Sequence, residues 1–310
     1  MYDRRRRRCA AFSCCLAVLI TGEPLPLGTL HGPFQMQADA AGADAAVCTN
    51  ATCDEFHARG VAVQCSACAA HLCELCLAEV RSGLERMLSL PGPAAYGGRH
   101  IVGVKDTVPP DPTHRSGFLL PFSPAVEAVV KAIASGPAGV TLERALGANT
   151  ELCECTVIEA EPGATAQQLH SDGDWSATAP RLITVFIALH PVLDGAMGAT
   201  HYVPETHEPR CFPDGRWQPP PSGSWSSPAE EPQAEESAAA ARAPVWFALH
   251  AGDCVLMEPT CWHFGGANTT ERRRTILCAS FVQASGGGDG GRKKTAFARR
   301  RLGELARASA

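Results

Sequence analysis

The chain has 310 residues, 45% of them hydrophobic, with a formal net charge of -5 and a pI near 6.1. That is enough apolar material for one large domain or two small ones, and the acidic balance excludes a general electrostatic attraction to nucleic acid. The 15 cysteines, an odd count without the short regular spacing of a disulfide-stapled mini-protein, favour mostly free thiols and hence a reducing, intracellular setting.

In chain order, Arg4 to Arg8 is a run of arginines followed by Cys9 to Ile20, apolar apart from Ser13 and shorter than the roughly 20 residues of a membrane-spanning helix. The shape resembles the first two parts of a signal peptide, but the small residues that could be cut, Ala38-Asp39-Ala40, lie far downstream. A secretory or organelle-targeting segment and an unstructured leader therefore both remain open for residues 1–46. Asn50-Ala51-Thr52 and Asn268-Thr269-Thr270 are glycosylation-acceptor sequences that matter only in a secreted protein.

Cys53 to Arg59 reads as a helix stopped by Gly60 and followed by a short strand through Val63. Cys48, Cys53, Cys65, Cys68, Cys73 and Cys76 have two readings. The pairs Cys65-x-x-Cys68 and Cys73-x-x-Cys76 have zinc-knuckle spacing, but the four residues between them leave no room for the usual ribbon. The favoured reading is one amphipathic helix over Ser66 to Leu88, with Leu72, Leu75, Leu77, Val80, Leu84 and Leu88 as its apolar stripe and cysteine acting as a small hydrophobe.

Pro91 to Gly98 and Pro109 to Pro112 are turn-rich connectors. Pro121 to Leu146 predicts a helix broken at Gly136-Pro137, packed on one side of a sheet. From Cys153 the texture changes to short strands: Thr156 to Ala160, Ala166 to Asp172, Arg181 to His190, Gly198 to Pro204, Val245 to His250, Asp253 to Glu258 and Arg274 to Val282. Such a series favours a sandwich or barrel, and RLITVFIALH reads as a strand buried on both faces. Phe212 to Ala243, rich in Pro, Ser, Ala and Glu, reads as an insertion or lid. Ser285 to Gly291 is a glycine-rich linker and Arg292 to Arg307 a basic tail, a short helix or a solvated face.

Chemistry concentrates at Gln167 to Asp172. Side chains two apart on a strand share a face, so the imidazole of His170 and the carboxylate of Asp172 are able to converge on one cation. Two ligands are not a site. Further candidates stand in Gly252 to Arg274, where Gly252-Asp253 is a turn, Cys254 to Met257 a strand, and His263 precedes Arg274 by eleven residues.

With those residues the sequence resembles the phytanoyl-CoA dioxygenase family of iron(II)- and 2-oxoglutarate-dependent oxygenases. The family combines Gln-x-x-His-x-Asp, then Gly-x-x-x-x-x-Pro-Gly-Ser-His, then a Gly-Asp strand leading to His-x-Gly-x-x-Asn and Arg. Here Gln167-x-x-His170-x-Asp172, Gly198 to His207, Gly252-Asp253, His263 to Asn268 and Arg274 follow in that order, and Phe56 to Val63 resembles the opening helix and strand. The resemblance runs from about Cys48 to Val282. It implies a mainly β fold with flanking helices (α+β) around a double-stranded β-helix, a jelly roll of the cupin kind, over residues 47–283.

It also implies His170, Asp172 and His263 as ligands of Fe(II), Arg274 as partner of the far carboxylate of the cosubstrate 2-oxoglutarate, and Gln167 and Thr200 as further cosubstrate contacts. Two histidines and a carboxylate leave one side of the metal open for a 2-oxo acid and O2, and guanidinium grips a carboxylate in a planar, two-pronged way. The expected reaction is hydroxylation of a small-molecule or lipid-like substrate, with release of succinate and CO2. Asp172 argues against halogenation, since related halogenases replace this carboxylate by a small residue. Glu205-Thr206 departs from the family's Gly-Ser, which leaves that turn's geometry open. Asp174, His190, His201, His207 and His250 are rival ligands, and Trp175, Tyr202 and Trp262 line either a pocket or the core. The alternatives are a protein substrate, as in prolyl hydroxylases (whose distal motif normally carries lysine where Arg274 stands), a non-catalytic barrel, or a zinc-stabilised interaction protein. Neither nucleic acid nor a membrane is an expected partner of the domain.

Overall fold

The computed structural model describes residues 53–88, 101–102, 114–120, 122–167, 169–173, 181–207, 244–284 and 300–307. The leader 1–46, Cys48, Asn50, Asp174, Trp175, the insertion 212–243 and the linker lie outside these residues. The elements in order are α1 (Cys53–Arg59), β1 (Val61–Gln64), α2 (Ala70–Leu88), β2 (Ile101–Val102), β3 (Arg115–Leu119), α3 (Pro124–Ser135) and α4 (Pro137–Leu146). They continue with β4 (Thr150–Ala160), β5 (Leu182–Ala188), β6 (Thr200–Val203), β7 (Cys254–Met257), β8 (Trp262–Gly265), β9 (Arg274–Gln283), β10 (Arg300–Arg301) and α5 (Leu302–Arg307).

The major sheet is antiparallel in the order β1-β7-β5-β9-β4-β3-β2, with β10 also on β4. Opposite it stands the pair β6-β8, widened by bridges from His170 to His263 and from Tyr202 to Val245. This is the mainly β jelly roll with flanking helices that the family resemblance implied.

Strand alternation sorts the core into two layers. On β9, Leu277, Ala279 and Phe281 face the helices, while Ile276 and Cys278 face the interior between the sheets. β5 divides in the same way, with Ile183, Val185 and Ile187 under the helices and Phe186 and Ala188 inside. Both faces being covered, the central strands read as continuous apolar runs.

α3 begins where Ser123 accepts a hydrogen bond from the Val126 amide at 3.3 Å with Pro124 at the first turn, and it buries Val126, Val129, Val130 and Ile133. The break at Gly136-Pro137 turns the chain by 73° into α4. Among the described residues no single helix is long and apolar enough to cross a membrane.

α2 is the amphipathic helix expected from the cysteine-rich segment, with a different stripe. Cys73, Cys76, Leu77 and Val80 are buried at helical spacing, while Leu75 is 60% exposed. Leucine content had suggested a stripe that helical geometry rotates onto the cysteines. Cys65 is disulfide-bonded, Cys68, Cys73 and Cys76 are free and buried, and among the described residues no cysteine set converges as metal ligands. With Cys65 in a disulfide and the other three thiols not converging, these residues form no zinc site.

Two further differences concern the basic tail and Asn268. The basic tail is not simply a solvated face: β10 pairs with Glu151 and Leu152, and α5 buries Leu302 and Leu305 in the main core while Arg300 and Arg301 stay exposed. Asn268, one acceptor sequence for glycosylation, is fully buried, and its amide group donates to the carbonyls of Ala160 and Arg272 at 2.9 and 2.7 Å. That side chain holds the turn before β9 and is closed to modification in the folded protein.

Candidate active site

The stretch 166–172 is not a regular strand, yet it pairs with β8 where it matters. His170 and His263 exchange backbone hydrogen bonds at 3.0 and 2.8 Å, so they stand directly opposite and their rings project to one side, with centroids 4.5 Å apart. Asp172, two residues on, is fixed by its amide donating to the Pro259 carbonyl at 2.8 Å. Its two oxygens lie 3.7 Å from His170 Nε2 and 3.5 Å from His263 Nε2. The three ligand atoms fall within 4.8 Å of one another, the one such group among the described residues.

Second contacts orient these groups. His263 is buried, and its Nδ1 lies 3.0 Å from the Cys261 carbonyl, which assigns a proton to Nδ1 and turns Nε2 to the side where His170 and Asp172 stand. Burial works against a charged His263, but the hydrogen bond and charge of Asp172 outweigh it and raise its pKa. A cluster of two imidazoles and one carboxylate at these separations suits a single first-row divalent cation such as iron.

The rival histidines are engaged elsewhere or exposed. His190 Nε2 accepts from the Thr275 amide at 2.9 Å, His201 stacks on Phe264, His207 Nε2 bonds the His57 carbonyl at 2.9 Å, and His250 is exposed.

A small cavity lies in the barrel interior, lined by Phe186, Val192, Ala199, Phe247, Leu249, Val255 and Ile276, with Thr200, Tyr202 and Arg274 as its polar members. Arg274 is 2% exposed; its Nη1 donates to Thr200 Oγ1 at 3.4 Å and its Nε has no hydrogen-bond partner. Burial lowers its pKa, opposed by Cys278 and Tyr202. A buried guanidinium with an unused N–H is costly unless an anion completes it. The donor set therefore fits a carboxylate, and the apolar wall fits the methylenes of a small diacid.

Gln167 and Thr200 are placed differently. Thr200 reaches Arg274, whereas the Gln167 side-chain oxygen accepts from the Gly265 amide at 2.8 Å and so ties its segment to β8. At the departure from the family pattern, Glu205 takes a left-handed φ of 66°, the conformation glycine adopts most cheaply. Thr206 is buried, donates to the Val203 carbonyl at 2.6 Å and accepts from the Trp262 amide at 2.9 Å. It thereby holds the residue just before His263.

Arg115 was missed by sequence reasoning. It follows a turn-rich connector with no periodic signal, and only the register of β3 on β4 brings it here. Its Nε donates to the Thr165 carbonyl at 2.9 Å, Nη2 bonds the Gly266 carbonyl, and Nη1 is buried without a partner. Burial, then the charge of Arg274, lowers its pKa.

A jelly roll presenting two histidines and a carboxylate beside an arginine-ended cavity defines the class of cupin-like, metal-dependent oxygenase folds. The sequence matches the family model for phytanoyl-CoA dioxygenase (PhyH) over residues 53–276, and the chain belongs to that family. Among solved structures it is similar to the non-haem alpha-ketoglutarate-dependent epimerase SnoN from nogalamycin biosynthesis, at 18% identity and a TM-score of 0.52, over 79% of this chain and 93% of SnoN. A second SnoN structure, in complex with Fe3+, alpha-ketoglutarate and nogalamycin RO, gives 19% identity and a TM-score of 0.51, over 75% of this chain and 82% of that one. AviO1 from Streptomyces viridochromogenes Tue57 gives 15% identity and a TM-score of 0.50, over 76% of this chain and 96% of that one. At these identities the likeness concerns the fold. Comparison with curated proteins returns no match.

Proposed function

We propose that the protein is an Fe(II)- and 2-oxoglutarate-dependent dioxygenase that hydroxylates a small-molecule or lipid-like substrate. The observation that carries this reading is the pairing, within one barrel, of the His170-Asp172-His263 cluster with buried Arg274 and its unpartnered Nε. The balance is substrate C–H plus 2-oxoglutarate plus O2, giving substrate C–OH, succinate and CO2. His170, Asp172 and His263 would hold the iron, which when bound supplies the redox chemistry of oxygen.

The chain's own residues place and shield the reactants. Arg274 draws the far carboxylate into the cavity, with Thr200 bonded beside it. Phe186, Phe247 and Leu249 exclude water and strengthen that ion pair. The Cys261 carbonyl keeps the His263 proton on Nδ1, leaving Nε2 to the metal.

Purified protein held without oxygen should develop a visible absorbance band on mixing with Fe(II) and 2-oxoglutarate, and release succinate once O2 is admitted. His170→Ala and Asp172→Ala should abolish the band; binding equal to the parent's would overturn the assignment. Because SnoN is described as an epimerase, the product must be examined too. Incorporation of one atom from labelled O2 supports hydroxylation, and an inverted, unoxygenated product refutes it while leaving the cofactors in place.

A further inference from the structure

Tyr202 is a side chain whose ring the core explains and whose hydroxyl it does not. β6 places Thr200 and Tyr202 two residues apart, so both project into the barrel interior. The ring of Tyr202 is 2% exposed and packs edge-on against Phe186 with centroids 6.1 Å apart. It also lies 5.9 Å from the Phe247 ring and 6.5 Å from that of His263, the last at an interplanar angle of 25°. Phenylalanine would satisfy every one of those contacts. Burying a hydroxyl in this layer costs free energy unless it is used.

Proton counting shows what is left to use. Arg274 Nη1 donates to Thr200 Oγ1, so the single Thr200 proton is available to the phenol, to which Thr200 is hydrogen-bonded. A phenol that accepts from Thr200 keeps its own proton for a further acceptor. Arg274 likewise keeps Nε. A phenol keeps its proton at neutral pH, its ordinary pKa being about 10. Two donors on one short hydrogen-bonded chain, at the polar part of an apolar cavity, match the two oxygens of one carboxylate.

We propose that the Tyr202 hydroxyl is the second donor, beside Arg274, to the far carboxylate of the 2-oxo diacid and sets the length of diacid the enzyme accepts. This rests on the 2-oxoglutarate reading above. A diacid one carbon shorter that chelates the metal leaves its far carboxylate short of these donors, and each buried donor left unpaired counts against it.

The test is an anaerobic titration of metal-loaded parent, Tyr202→Phe and Thr200→Val proteins with 2-oxoglutarate and with oxaloacetate. It is read by the chelate absorbance and by the ligand-induced rise in Tm. Tyr202→Phe preserves the ring, and should weaken 2-oxoglutarate about tenfold while leaving oxaloacetate nearly unchanged, so that selectivity falls by about the same factor. The Tyr202→Phe/Thr200→Val double variant should lose less than the product of the single losses, because the two hydroxyls act on one chain. Equal weakening of both diacids, or a 2-oxoglutarate affinity within about twofold of the parent's, overturns the assignment. The ratio is measured on one sample, so it holds even if the variant is less stable. A parent that binds iron but gives no response to 2-oxoglutarate overturns the dioxygenase reading itself.

Discussion

Arg115 and Arg274 sit in one row of the major sheet: each is directly opposite Ala160, Arg115 from β3 and Arg274 from β9. Residues opposite one another share a face, so two guanidinium groups flank a single methyl. Like charges in this setting oppose each other until an anion enters, which is why Arg274 contributes to the lowered pKa of Arg115. Arg115→Met is expected to weaken 2-oxoglutarate binding about tenfold. Titration calorimetry on the metal-loaded protein measures it, and an unchanged affinity would limit Arg115 to holding the Thr165 and Gly266 carbonyls.

Thr206 stands where the family pattern has serine and joins two segments through its hydroxyl. Thr206→Val leaves the Trp262 amide and the Val203 carbonyl without their 2.9 and 2.6 Å partner and loosens the residue preceding His263. Metal affinity should fall about tenfold, with Thr206→Ser close to the parent. A metal titration across the three proteins decides it.

Glu159 is fully buried on β4, where it accepts from Thr275 Oγ1 at 3.0 Å while its other oxygen has only Arg273 at 3.7 Å. Burial raises its pKa, with Arg273 and Thr275 opposing and Glu161 adding to the rise. A carboxyl whose folded pKa is raised binds its proton more tightly folded than unfolded, so its contribution to stability is full below the ordinary value and is lost as pH rises through the folded one. Glu159→Gln should therefore raise Tm by a few degrees at neutral pH, and the gain should vanish below about pH 4. Thermal unfolding across that range tests the sign.

Gly252 has φ of 90°, and a Cβ there would overlap the Cys68 carbonyl oxygen. The same turn receives the Cys68 amide at 2.9 Å, and Asp253 accepts from the Ser66 and His250 amides at 2.7 and 2.6 Å. Gly252→Ala combines backbone strain with overlap and is expected to cost about 3 kcal/mol. Urea unfolding with an unchanged m-value would register it as a loss of stability alone.

The sequence by itself determined the strand-rich second half, the helix pair broken at Pro137, and the order of the chemistry-bearing residues. Periodicity, turn residues and motif order are local, and they survive without knowledge of neighbours. Tertiary structure decided what local pattern does not encode. Which α2 positions are buried depends on which face meets α3, so leucine count misassigned Leu75. Arg115 reaches the site through strand register, 159 residues before Arg274 is paired into the same row, and nothing in its own segment marks it. The Tyr202 hydroxyl acquires its role from hydrogen bonds to Thr200 and through it to Arg274. Alternation along a strand is written in one segment, but the convergence of His170, Asp172, His263, Tyr202 and Arg274 is a property of two sheets facing each other.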